Sequence, residues 1–212
     1  MANNKVGSNF DQYFRLASQI VSKMSRSVVD GYIDLVTIDP DSEHKFNRKK
    51  GNNCYSNGEY SEAIPFLKSA LELNANDVDV LYHLGVCLAK VHRDDEAIEY
   101  LEKTLAVDKD HENALFRLGM ICLGNEDYKK AVEYFKKVAG IDDESYNAYY
   151  RLGMSYDGLK KYADAVKAFE KAIEIDPKMG KTYQSLGFTH ESMGNHDKAV
   201  ACFKKSLELE DK

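Results

Sequence analysis

The tetrapeptide RLGM occupies residues 117–120 and returns at 151–154, 34 residues later. The interval runs through most of the chain. Gly51, Gly85, Gly119, Gly153 and Gly187 are spaced by it. So are Ala63, Ala97, Ala131, Ala165 and Ala199, each 12 residues after its glycine. Four residues further on stand Leu67, Leu101, Phe135, Phe169 and Phe203. Leucine precedes four of the glycines, at Leu84, Leu118, Leu152 and Leu186; the first unit has Lys50 instead. An unbroken period of this length marks a stack of identical supersecondary units. Glycine and alanine let two helices of a hairpin approach closely, and the large residues fill the space beside them. One hairpin cannot bury its apolar face alone, so neighbours must stack.

Composition agrees with an all-helical chain. The 212 residues are 43% hydrophobic and 30% charged, with three prolines and no tryptophan. That is enough apolar material for a sizeable core, and few segments alternate with period two. The net charge of -6 without a basic tail argues against general binding of nucleic acid or anionic lipid. The polar start MANNKVGSNFDQYFRL has no apolar core of a signal peptide, and no run of 18 apolar residues spans a membrane. Cys54, Cys87, Cys122 and Cys202 lie far apart and read as reduced, buried thiols, not a disulfide framework or a zinc site.

The Leu-Gly and Ala…Phe pattern resembles the tetratricopeptide repeat, in which these pairs sit in the first and second helix of each hairpin. The resemblance implies a right-handed superhelix of hairpins, an α-solenoid, with five units at 44–77, 78–111, 112–145, 146–179 and 180–212. The family's proline after the second helix is present only as Pro177; Ala75, Lys109 and Asp143 hold that place elsewhere, with Asp or Asn nearby expected to cap the helices. Residues 10–43 read as a degenerate sixth unit behind a flexible terminus at 1–9. VVDGYIDLVTIDP (28–40) aligns with AVKAFEKAIEIDP (165–177), and Phe10, Tyr13, Phe14, Ala17, Ile20, Val21 and Met24 precede it at helical spacing. A membrane-surface helix is the other reading of this segment, though Arg15, Lys23 and Arg26 make a thin basic face. No polar capping helix follows unit five, so its hairpin is expected to offer apolar side chains to a partner.

No catalytic constellation is legible. The histidines make no metal-ligand spacing, no serine sits in G-x-S-x-G, and no phosphate-binding glycine loop occurs. Asp94-Asp95-Glu96 and Asp142-Asp143-Glu144 are expected at helix starts, where caps and dipoles account for them. The expected function is therefore interaction, with no enzyme activity, cofactor, metal or small-molecule substrate. In the family the first helices line the concave face. Counting each glycine as position 8, positions 2, 5, 6 and 9 form one inward stripe. It holds Lys45, Asp79, Asn113, Asn147 and Lys181; then Arg48, Tyr82, Phe116, Tyr150 and Gln184; then Lys49, His83, Arg117, Arg151 and Ser185; then Asn52, Val86, Met120, Met154 and Phe188. Six cations stand against one acid on an acidic chain. A solvated charged face is the plain reading. Arginines interleaved with aromatics and methionines also suit a partner segment that is both acidic and apolar.

Such a segment exists within the chain: 28–43 carries Asp30, Asp34, Asp39, Asp41 and Glu43 with Val28, Val29, Tyr32, Ile33, Leu35 and Val36, and no positive charge. Asp30, Tyr32, Ile33, Asp34 and Val36 are the expected self-assembly residues, entering a neighbour's groove head to tail. DVDVLYHLG (77–85), KKVAG (136–140), NAYYRLGMSYDGL (147–159) and GKTYQSLGFTHESMGNHDKAVACFKKSLELED (180–211) bring the chain nearest to the magnetosome-associated members of the family. That resemblance implies a homo-oligomeric scaffold that recruits proteins at the cytoplasmic face of the magnetosome membrane, held there by partners, with a hinge near the middle of the array. The alternative is a monomeric co-chaperone binding acidic peptide tails through Arg48, Asn52 and Arg117, although His83 stands where that clamp has asparagine. Leu-Gly is architectural in this account and the flanking Arg and Met bind. Arg117→Glu with Arg151→Glu should leave helicity by circular dichroism intact and weaken partner binding; unfolding would show that the flanking pair is structural.

Overall fold

The computed structural model describes residues 39–210, all helices and their turns. The helices are α1 (Pro40–Ser56), α2 (Tyr60–Leu73), α3 (Val78–Lys90), α4 (Asp94–Val107), α5 (Glu112–Gly124), α6 (Tyr128–Ile141), α7 (Tyr146–Gly158), α8 (Tyr162–Ile175), α9 (Gly180–Ser192) and α10 (His196–Glu210). The chain divides into two compact units, residues 1–46 and 47–212, with the boundary inside α1. The second unit is an all-α solenoid of helical hairpins. The segment 1–38, with Asp30, Tyr32, Ile33, Asp34 and Val36, lies outside the described residues.

Each hairpin closes on its glycine. A Cβ on Gly51 would lie 2.6 Å from Leu67, on Gly85 2.8 Å from Leu101, on Gly119 2.8 Å from Phe135, on Gly153 2.6 Å from Phe169 and on Gly187 2.6 Å from Phe203. These gaps are too short for any real side-chain carbon, so the large residue occupies the space that the missing Cβ leaves. Packed this tightly, Leu67, Leu101, Phe135 and Phe169 are at most 1% exposed. The alanines of the second helices are equally covered, at 0–1% from Ala63 to Ala199.

Units join through the Leu of Leu-Gly. Leu84 clusters with Ile64, Leu67 and Ala70 of the preceding hairpin. Leu118 meets Leu101, Leu152 meets Val132 and Phe135, and Leu186 meets Phe169 and Ala172. The connections are regular as well. Asn74, Asp108, Asp142 and Asp176 each accept the backbone N–H two residues on (3.3, 3.2, 3.0 and 3.0 Å), an Asx turn that breaks one hairpin from the next. Asp94, Asp95 and Glu96 occupy the first turn of α4 as expected. Asp142-Asp143-Glu144 does not begin a helix: it follows α6 and shapes the turn before α7.

Inside each hairpin the turn needs one left-handed residue. Gly58 and Gly194 supply it at φ 79° and 75°, whereas His92, Glu126 and Lys160 adopt φ 60°, 60° and 58° at the equivalent places. The stack tolerates this strain three times, which shows how firmly the flanking helices impose the turn.

Gly153→Ala is expected to destabilise the fold by about 1–3 kcal/mol, because the ring of Phe169 has nowhere to move. Gly140 is also helical but meets nothing within 4 Å. Gly140→Ala should therefore stabilise by about 0.5–1 kcal/mol. Urea unfolding of the two variants checks both signs.

Candidate partner-binding surface

Successive first helices α3 and α5, α5 and α7, and α7 and α9 approach one another directly, and no pair of the described second helices does so to the same degree. The stack therefore bends with its first helices on the inner side. Along that side the side chains fall into three groups with different electrostatics.

At the α1–α3 end most of the polar groups pair with one another. Arg48 forms ion pairs with Asp77 Oδ2 at 3.0 Å and Asp79 Oδ2 at 2.6 Å. His83 Nδ1 lies 2.9 Å from Asn52 Oδ1, and its ring stacks on Tyr55 at 4.2 Å. Burial holds His83 below the usual histidine range, so the neutral ring that donates Nδ1–H to Asn52 is favoured at neutral pH. Tyr82 packs against His111, with ring centroids 4.9 Å apart. Two members of the expected carboxylate clamp, Arg48 and Asn52, are thus already engaged. Lys49 is exposed, and Lys45 is an exposed residue of the first compact unit.

In the middle, Arg117 and Met120 line a shallow cleft of about 300 Å³ with Val86, Ala89, Ile121, Lys90, Asn125 and the carboxylate of Asp94. No carboxylate among the described residues pairs with Arg117. Phe116, half-buried beside it, sits edge-on to Phe135 at 5.5 Å.

The α7–α9 end is a cation–aromatic array. Tyr146 and Tyr150 stack at 5.9 Å with planes 7° apart. Lys181 Nζ sits 5.6 Å above the first ring and 5.1 Å above the second. The Arg151 guanidinium lies 5.4 Å from the Tyr150 centroid, with Nη1 3.4 Å from Met154 Sδ. Cation–π contacts leave the charge uncompensated, and no carboxylate among the described residues pairs with Lys181 or Arg151. Tyr150 is 8% exposed, so it supports the surface from beneath and does not itself face a ligand. Arg151 is half-buried, with its Nε enclosed and unpartnered. It is partly structural, contrary to the simple division of RLGM into packing and binding pairs. Asn147 is exposed at the edge. Tyr146 was not on the expected stripe, yet it carries Lys181; its signal was the i, i+4 pairing with Tyr150.

The stripe is therefore not uniformly basic. Arg48 faces two carboxylates, whereas Lys49, Arg117, Arg151 and Lys181 have no ion-pair partner among the described residues. Polar clasps between first helices also cluster at the ends. Besides Arg48–Asp79 and Asn52–His83, the α7–α9 junction has Tyr146–Thr182 at 2.6 Å, Tyr150–Ser185 at 3.4 Å and Thr189 donating to Asp157 at 2.8 Å. Among the described residues no side-chain hydrogen bond joins α3 to α5 or α5 to α7.

Cys54, Cys87 and Cys122 are buried and Cys202 half-buried, all as free thiols. Desolvation raises each of them, Cys87 to about 12, so none is a ready nucleophile. No described helix is long and apolar enough to cross a membrane.

Sequence models of the tetratricopeptide repeat match residues 55–120, 112–145, 146–179 and 180–212. The magnetosome protein MamA of Magnetospirillum gryphiswaldense is 29% identical over 73 residues, a match that spans only 34% of that relative's length and 34% of this chain. Solved structures extend the likeness. MamA from Desulfovibrio magneticus RS-1 superposes with a TM-score of 0.77 at 31% identity, covering 80% of this chain and 96% of that one. MamA of strain AMB-1 gives 0.73 at 33% identity, covering 78% and 98%. A regular five-hairpin array, matched along its length and sharing nearly a third of its residues with these structures, belongs to the tetratricopeptide repeat family and is MamA-like within it.

Proposed function

We propose that this chain is a non-enzymatic scaffold that assembles with itself and recruits other proteins at the cytoplasmic face of a magnetosome membrane. The observation that carries the reading is the trio of uncompensated cations, Arg117, Arg151 and Lys181, set among Met120, Met154 and Tyr146 on the inner side of the stack. Methionine thioethers and aromatic faces take apolar side chains of varied shape, and the free guanidinium groups take carboxylates. A partner segment that alternates acidic and apolar residues satisfies both. Residues 30–36 have that character, so another copy of the chain is the first candidate ligand, with acidic segments of other proteins competing for the same surface. Attachment to the membrane runs through these partners. Placement at a magnetosome rests on the likeness to MamA. The missing polar clasps on either side of α5 support a hinge there, through which the two ends of the array adjust to what they hold.

A monomeric co-chaperone that grips a terminal carboxylate fits less well. Arg48 and Asn52, which its clamp requires free, are bound to Asp77, Asp79 and His83.

Light scattering of the full chain and of a form lacking residues 1–38 tests the proposal. The full chain should run as an oligomer and the truncated form near monomer mass. Arg117→Glu with Lys181→Glu should lower the oligomer mass without loss of helicity. A full chain that stays monomeric at high concentration, or a truncated form of unchanged size, would overturn the reading.

A further inference from the structure

The outer face of α10 is a packing seat that no described helix covers. Phe203 occupies the position of Leu67, Leu101, Phe135 and Phe169, which are at most 1% exposed, yet Phe203 is only half-buried. Val200 is 51% exposed, whereas Ile64 and Val132 at equivalent positions are each 8% exposed. Leu207 is 61% exposed, and its counterparts Leu71, Leu105, Ala139 and Ile173 are all at least half-covered. In units one to four the cover comes from the next first helix, whose Leu-Gly leucine packs into this place. The seat on α10 is thus shaped for a helix bearing leucine followed by a small residue.

The chain contains one more such pair in phase with the repeat. Thirty-four residues before Gly51 stands Ala17, preceded by Leu16. Phe14-Arg15-Leu16-Ala17 repeats Phe116-Arg117-Leu118-Gly119 with a single change, glycine to alanine. The same phase puts Val29 and Ile33 where the second helices have alanine and Leu or Phe.

We propose that the seat formed by Val200, Phe203 and Leu207 receives the Leu16-Ala17 segment of a second copy, in the position a sixth first helix would take. The contact is heterologous: each copy offers a head and a tail, so the hairpin stack continues from one chain into the next. The proposal rests on the self-assembly reading above, and it adds a contact at the end of the array that does not use the inner groove. An apolar seat also gives the contact a different salt response from the groove. Screening weakens ion pairs between exposed groups, and salts that favour burial strengthen apolar contacts.

Light scattering of full-length variants decides it. Leu207→Asp alters a largely exposed side chain, so helicity by circular dichroism should be unchanged while the average mass of the assembly falls at least twofold. Leu207→Met should keep the mass of the unaltered protein. Leu16→Asp, which acts from the opposite partner, should lower the mass as Leu207→Asp does. An assembly that is lost on removing residues 1–38 but untouched by Leu207→Asp would overturn this contact and leave the scaffold reading standing. Loss of assembly with Leu207→Asp but not with Leu16→Asp would overturn the occupant proposed. An unaltered protein that is monomeric throughout would overturn both.

Discussion

The structure depends on one contact repeated five times: a glycine on a first helix facing a large apolar side chain on the second. At Gly153 the distance available to a Cβ is 2.6 Å, which admits none. The closeness of the two helices follows from that vacancy, and so does the complete burial of Phe169. The same ring then presents its outer surface to Leu186 of the next hairpin. Intra-hairpin packing and inter-hairpin packing therefore share a residue, and neither forms well without the other. That coupling is why stability in such an array is a sum over neighbours.

Because the first helices lie on the inner side, their non-packing positions form a continuous surface whose character changes along its length. Near α1 and α3 acid, base, amide and imidazole pair with one another beside an exposed Lys49. Near α7 and α9 two cations rest on stacked tyrosines, and among the described residues no carboxylate pairs with them. Between them, α5 contributes Arg117 to a cleft of mixed polarity, and among the described residues no side-chain hydrogen bond ties it to the neighbouring first helices.

The repeat was legible because its cause is strictly periodic. Only small residues fit at 51, 85, 119, 153 and 187, so the glycines announce the hairpins. The left-handed turn residues were hidden: His92, Glu126 and Lys160 hold a conformation that glycine usually marks, imposed here by the helices on either side. The make-up of the inner stripe was legible in outline and less so in detail. Listing stripe residues by sign could not show that Asp77, outside the stripe, reaches Arg48 from the start of the next first helix. Nor could helical spacing show that Tyr150 turns under Lys181 and into the core, since the covering residue lies 31 positions later in the chain. The relation of Leu16-Ala17 to the repeat was masked by a competing alignment one residue out of phase, which matched Val28, not Val29, to the alanine column.

The central claim is that these surfaces hold copies of the chain together. Static light scattering of the unaltered protein across a dilution series tests it most directly. Reversible self-association predicts an average mass that climbs above 24.0 kDa as concentration rises and returns to that value on dilution. A mass fixed at 24.0 kDa at every concentration would contradict the account.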